Sequence, residues 1–130
     1  MTLVNSSFAQ NFTKEKDYFK AAKKLFSQGP EIVVITLGEK GCLYKSCKET
    51  FTKPAFKVKV VDTTGAGDVF HGAFIYGLLK GWKLEKIAEF SNAVSAIKCT
   101  KLGGRAGIPT LKEVNELLAH RVNKSNQDMI

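Results

Sequence analysis

The sequence predicts an α/β fold, and three features predict it. A continuous β-branched run, Ile32-Val33-Val34-Ile35-Thr36, has the composition of a strand buried on both faces, as in a parallel sheet. Helix, strand, hairpin, strand and then stacked helices follow one another along the chain, the order of a layered α/β domain. A glycine-rich turn, Asp62-Thr63-Thr64-Gly65-Ala66-Gly67-Asp68, stands between a strand pattern and an apolar helix pattern.

The elements follow in order. Leu3-Val4 reads as the stub of a strand. Glu15 to Ser27 carries Tyr18, Phe19, Ala22, Leu25 and Phe26 at helical spacing, and Gly29-Pro30 ends it. After the buried strand, Gly38-Glu39-Lys40-Gly41 is a turn; Cys42-Leu43-Tyr44 and Glu49 to Thr52 read as short antiparallel strands. The alternating segment Phe56-Lys57-Val58-Lys59-Val60-Val61 predicts a further strand. Asp68 to Leu79 is apolar nearly all round, the pattern of a helix buried on most sides. Leu84 to Thr100 is a second helix, with Trp82 just before it as an anchor between the two. Leu102 to Pro109 is a glycine-rich loop, and Thr110-Leu111-Lys112-Glu113 is a capping box that opens a last helix to about His120. Residues 1–122 are expected to form one domain and 123–130 a polar, frayed tail.

Composition narrows the function classes. At 130 residues and 44% hydrophobic content the chain suits a globular domain with a real core. No apolar run approaches the roughly 20 residues that span a bilayer, and the N-terminus lacks the regions of a secretory signal, so the cytoplasm is expected and a membrane is not. The three cysteines, Cys42, Cys47 and Cys99, have spacings that suit no common zinc site. They are expected as thiols, with a Cys42–Cys47 bridge across the hairpin open on oxidation. The net charge of +8 comes from scattered lysines; Arg105 and Arg121 are the only arginines. That is a lysine-rich surface favourable to an anionic nucleotide, and nucleic acid is not the expected partner.

The glycine turn carries the chemistry. Its glycines let backbone N–H groups gather around an anion, and a helix N-terminus adds favourable electrostatics. Asp68 lies where it could take a proton from a hydroxyl beside that anion, which is the equipment of phosphoryl transfer. No Gly-Lys-Ser/Thr follows, so this is not a Walker A loop, and the spacing does not fit the dinucleotide fingerprint. A structural turn with Asp68 as a first-turn acid is the alternative reading.

Residues 61–74, Val-Asp-Thr-Thr-Gly-Ala-Gly-Asp-Val-Phe-His-Gly-Ala-Phe, resemble the C-terminal signature of the ribokinase-like (PfkB) carbohydrate kinases. Thr36-Leu37-Gly38-Glu39-Lys40-Gly41 resembles that family's nucleotide-side turn. Leu102-Gly103-Gly104-Arg105-Ala106-Gly107-Ile108-Pro109 resembles its loop before the last helix. The resemblance implies a three-layer α/β/α ribokinase-like fold, C-terminal portion, with a mostly parallel sheet and a short antiparallel hairpin. It implies ATP and Mg2+ as cofactor, with Asp68 as the base that deprotonates a sugar hydroxyl. The N–H groups of Gly65, Ala66 and Gly67 would form the anion hole for the γ-phosphoryl group. Thr36, Gly38 and Gly41 would lie along the phosphates and ribose, and Asn92 beside the adenine. Asp62 and Thr64, with carbonyls near Lys98, Lys101 and Gly103, match the site at which many members hold K+.

Three positions depart from the family's pattern. Many members carry Asn-x-x-Glu where this chain has Asn5-Ser6-Ser7-Phe8, so magnesium is expected to rest on nucleotide and water. Gly107 stands where some members place a cation-ligating hydroxyl, and His71 where Asn is frequent. His71 falls one turn beyond Asp68; helix packing or a surface hydrogen bond is expected of it rather than a proton relay. Family members are typically much longer, and their N-terminal half supplies most of the sugar site. The chain is therefore expected to be the C-terminal part of a sugar kinase, inactive or weakly active alone. It would associate with a second copy or with a missing N-terminal half. A non-catalytic nucleotide-binding or regulatory module is the alternative, and a basic nucleic-acid-binding domain the remote third.

Overall fold

The computed structural model describes residues 1–103 and 108–128, with side chains described through His120. The chain divides into two compact units, Met1–Phe56 and Lys57–Ile130.

The first unit is a four-stranded sheet with two helices. Strands β1 (Thr2–Asn5), β2 (Val33–Thr36), β3 (Cys42–Lys45) and β4 (Thr50–Lys53) lie in sequential order. The β1–β2 pair is parallel, while β2–β3 and β3–β4 are antiparallel. Antiparallel pairing therefore takes a larger share of this mixed sheet than the sequence suggested. The first three residues of β2 are apolar because both faces of Val33, Val34 and Ile35 are covered. The core joins Val33, Ile35 and Leu43 of the sheet to Ala9, Ala21, Ala22 and Leu25 of the helices. The register puts Ile35 opposite Leu43, and Val34 opposite Tyr44 on the other face.

Helix α1 (Ser6–Thr13) was not expected. Asn5 caps it, its side chain accepting the Phe8 N–H at 2.8 Å. Only Ala9 and Thr13, one turn apart, are buried on it, so its apolar signal is weak. Phe8 and Phe12 stack on each other at 5.6 Å and remain exposed. Lys14 ends α1 in the left-handed conformation, and Asp17 caps α2 (Tyr18–Phe26) by accepting the Phe19 N–H at 2.8 Å. The two caps explain why α2 begins at Tyr18, the first apolar position, rather than at Glu15.

Gly41 is held by geometry. Its φ is 101°, its N–H donates to Gly38 O at 3.1 Å, and a Cβ there would overlap the Lys53 carbonyl. Only glycine lets the 3-10 turn Gly38–Lys40 feed β3 this close to β4. The three cysteines are thiols, as expected, and the Cys42–Cys47 bridge left open on oxidation is out of reach. Cys42 is buried opposite Lys53, whereas Cys47 is exposed beyond the other end of β3. Five residues along a nearly extended chain put them well over about 10 Å apart, too far for a disulfide.

The second unit is helical. The strand expected at 56–61 does not form: residues 54–60 carry no regular structure. Alternation prepares a segment for a sheet, but a strand exists only with a partner ladder. Instead Val61 and Asp62 donate their N–H groups to Cys99 O at 2.7 and 3.2 Å. Helix α3 (Ala66–Leu79) packs on α4 (Leu84–Cys99). The contact is close because Gly77 faces Ile87; a Cβ on Gly77 would lie 2.7 Å from Ile87 Cγ1. Trp82 is the expected anchor: half-buried, it meets Phe90 at 5.2 Å and Tyr76 at 5.6 Å edge to face. The capping box forms as read. Thr110 Oγ1 accepts the Glu113 N–H at 3.3 Å, and Glu113 Oε1 accepts the Thr110 N–H at 3.2 Å. Helix α5 (Leu111–Asp128) runs past His120 into the segment expected to fray.

Candidate functional site

The 62–68 turn is built from both ends. Its first residues hang on the C-terminus of α4 through the two N–H bonds to Cys99 O. Asp62 then closes the turn on itself: Oδ1 accepts the Thr64 N–H at 2.9 Å. Its other oxygen, Oδ2, accepts the Gly103 N–H at 3.0 Å. These bonds hold the Asp62 carboxyl down at about 2, the Thr64 hydroxyl contributing most, then the N–H groups of Thr64 and Gly103, and the Lys98 charge least.

Gly65 then turns the chain into α3 with φ 78°, and no side chain caps the helix. Ala66 N–H is spent within the turn, donating to Thr63 O at 3.1 Å. Val69 N–H closes the first helical bond to Gly65 O at 3.0 Å. The N–H groups of Gly67 and Asp68 have no partner among the described residues. This pair of donors at the positive end of a 14-residue helix is where an anion is favoured. Of the three N–H groups expected around an anion, that of Ala66 is engaged within the turn, while Asp68, expected only for its carboxylate, also has an N–H without a partner among the described residues. The Asp68 side chain is exposed in the same turn. His71 is exposed, with no hydrogen bond to Asp68.

Two of the residues expected at a cation site have their oxygens engaged inside the protein. Both Asp62 oxygens accept N–H groups. The Lys98 carbonyl accepts the Lys101 N–H at 3.3 Å, and Lys101 Nζ pairs with Glu113 Oε2 at 3.0 Å. Lys98 itself is the surprise: its side chain is 0% exposed, and Nζ has no hydrogen-bond partner among the described residues. With Asp62 and the Lys98 carbonyl already accepting hydrogen bonds and a buried lysine side chain in the same stretch, this place is a poor fit for a further monovalent cation. For magnesium, no cluster of three His, Cys, Asp or Glu side chains exists among the described residues.

Of the residues expected on the nucleotide, Asn92 is buried in the middle of α4, in the same unit as the turn. Thr36, Gly38 and Gly41 belong to the first unit, at the end of β2 and in the turn after it. Thr36 Oγ1 reaches Val4 O at 3.5 Å. Gly104 to Gly107 lie outside the described residues. An apolar groove of about 390 Å³ runs between α3 and α4, lined by Val69, Ala73, Tyr76, Phe90 and Val94; none of the expected site residues lines it.

An α/β chain in which a glycine turn presents unpartnered N–H groups at the head of an apolar helix has a form that phosphate-binding proteins use. The comparisons make the class specific. Residues 3–111 match the model of the pfkB family of carbohydrate kinases, and the chain belongs to that family. It is 43% identical to an uncharacterized sugar kinase of Archaeoglobus fulgidus over 94 residues, 72% of this chain and 38% of that protein. Among solved structures, the ribokinase of Thermotoga maritima is 38% identical with a TM-score of 0.81, covering 90% of this chain and 41% of that one. A putative ribokinase II from E. coli, in complex with ATP and Mg2+, is 25% identical with a TM-score of 0.84, covering 91% of this chain and 38% of that one. The α/β fold is thus ribokinase-like, and the chain spans well under half the length of these relatives. Among the described residues, no helix is long and apolar enough to cross a membrane.

Proposed function

We propose that this chain is the ATP-binding and catalytic-base portion, the C-terminal part, of a cytoplasmic sugar kinase that transfers the γ-phosphoryl group of ATP to a sugar hydroxyl. The observation that carries the reading is the pair of unpartnered N–H groups of Gly67 and Asp68 with the exposed Asp68 carboxylate in the same helical turn. Membership of a carbohydrate kinase family and likeness to a structure holding ATP and Mg2+ support it.

The step balances simply. Asp68 takes the proton of the sugar hydroxyl, and the hydroxyl oxygen bonds to the γ-phosphorus. The bond from that phosphorus to the bridging oxygen breaks, and ADP leaves with the electron pair. The N–H donors of the turn, Gly65 and Gly67 together with Asp68, hold the oxygens of the transferring group where negative charge gathers. Asp62 sets their position by tying the turn to Thr64 and Gly103. Magnesium, bound to the phosphates, supplies charge neutralisation. Thr36, Gly38 and Gly41 would border the phosphates and ribose, and Asn92 the adenine.

A second reading is favoured by one observation, the coverage of 38% to 41% of the relatives' length. In it the chain binds nucleotide without turnover unless another polypeptide completes the sugar site, because substrate orientation is a large part of the rate. A polypeptide equivalent to the relatives' N-terminal half, or a second copy, would be that partner. Calorimetric titration with MgATP tests the nucleotide site: absence of binding would sink both readings. Sugar-dependent ADP release from the purified chain, screened over ribose, fructose and related acceptors, separates the first reading from the second.

A further inference from the structure

Helix α4 is buried along most of its length, yet one stripe of it is polar. Ser91, Ser95 and Lys98 stand at intervals of four and three residues, and so on one face. Ser95 Oγ donates to Ala66 O at 3.4 Å, which fixes where the stripe looks: toward the start of α3. Cys99, one turn beyond Ser95, receives the N–H groups of Val61 and Asp62 through its carbonyl. The 61–66 segment is thus laid along the C-terminal half of α4.

Two buried side-chain polar atoms are without a partner among the described residues, Ser91 Oγ and Lys98 Nζ, and both belong to this stripe. A hydroxyl in that position is tolerable. A buried cationic side chain without partner is costly, because desolvation is uncompensated until an anion or an acceptor meets it. The charge of Lys98 already acts on its surroundings, holding the Asp62 carboxyl down and opposing the rise that burial imposes on the Cys99 thiol. The group that lies along the stripe is the turn with the free N–H groups of Gly67 and Asp68.

Resting on the kinase reading above, we infer that Lys98 is a positioning residue whose side-chain charge stands behind the phosphate turn, in the role a monovalent cation plays elsewhere in such sites. Nucleotide phosphate binding by this chain is then independent of K+. Three features of the site support this. Asp62, the acid that would hold a cation, is occupied on both oxygens by N–H donors. The Lys98 carbonyl is engaged by Lys101. A K+ ion entering beside Lys98 would meet a like charge in a region of low dielectric.

The test is MgATP affinity measured by calorimetry with K+ or tetramethylammonium as the sole monovalent cation, on the chain as given and on Lys98→Met and Lys98→Arg. The original chain should bind equally in the two salts, within about twofold. Lys98→Met should bind at least about tenfold more weakly in both salts, the loss expected when one charge near the phosphates is removed, because Asp62 and the Lys98 carbonyl stay engaged and K+ does not replace the lysine. Lys98→Arg should behave as the original. Circular dichroism monitors folding, which Lys98→Met is expected to keep because it replaces a buried charge with a side chain of similar length. Strong K+ dependence of the original chain overturns the inference whatever the variants do, as does a folded Lys98→Met with unchanged affinity in both salts. Failure of the original chain to bind MgATP in either salt is a different result: it removes the nucleotide reading, and this inference with it.

Discussion

Asp62 and Gly103 are joined by a 3.0 Å hydrogen bond, the carboxylate Oδ2 accepting the glycine N–H across 41 residues of sequence. With the Thr64 N–H on the other oxygen, it fastens the phosphate turn to the segment that follows α4. The bonds lower the Asp62 carboxyl from its ordinary 3.8 to about 2, so the clamp stabilises the folded state fully above 3.8 and is lost as pH falls through about 2. The thermal midpoint of the original chain should therefore exceed that of Asp62→Asn by a constant margin from neutral pH down to about 5, shrinking below that. A margin that does not depend on pH would show that the carboxylate charge is not what holds Gly103.

Asp68 differs from Asp62 in being exposed and free of such bonds. The base role proposed for it predicts that Asp68→Asn lowers sugar-dependent ADP release by at least about 100-fold. MgATP affinity should hold or rise a few-fold, since a like charge beside the polyphosphate is removed. Calorimetry reads the second effect whether or not the chain turns over. Affinity falling more than about tenfold would mean that Asp68 holds the nucleotide rather than the proton.

What was legible in the sequence was local. Thr110 and Glu113 name each other at a spacing of three, and the capping box forms. The 62–68 turn is contiguous, so its glycines and acids could be read together. The strand expected at 56–61 fails because alternation says nothing about whether a partner edge is present. Helix α1 was hidden because its cap, Asn5, precedes a segment that buries only Ala9 and Thr13. Lys98 was read for its carbonyl, since a lysine near a helix C-terminus ordinarily faces water. Its burial depends on what packs over α4, and the one local hint was its place on the same face as Ser91 and Ser95 of a helix that is otherwise mostly apolar and buried.

The three thiols should separate by reactivity. Cys47 is exposed in the hairpin turn, Cys99 is partly covered with its thiol pushed up by burial, and Cys42 is buried in the sheet. A colorimetric thiol reagent should modify Cys47 in a fast phase, Cys99 more slowly, and Cys42 only on unfolding, because the thiolate in contact with solvent is what reacts. Oxidation should leave Cys42 and Cys47 unbridged. Three equally fast thiols, or a Cys42–Cys47 bridge found by mass spectrometry, would contradict the placement of Cys42 inside the sheet and Cys47 beyond the end of β3.

Two glycines of α3 should respond oppositely to alanine. Gly72 is exposed, and a Cβ there meets nothing within 4 Å. Gly72→Ala should therefore stabilise by up to about 1 kcal/mol through helix propensity. Gly77 gains the same propensity, but its methyl group would fall 2.7 Å from Ile87 Cγ1 and 3.0 Å from Cγ2. Both atoms belong to a fully buried side chain that cannot swing away. Overpacking of this kind costs about 1–3 kcal/mol, so Gly77→Ala should be net destabilising by about 1 kcal/mol, the overpacking cost less the propensity gain. Ile87→Ala removes both clashing atoms at the cost of a cavity. The double variant should therefore be more stable than the sum of the single changes predicts by about 1 kcal/mol or more, measured as denaturant midpoints. Additive effects would mean that α3 and α4 can separate at this contact, and that the close helix pair carrying the phosphate turn on one helix and Lys98 on the other is not set by Gly77.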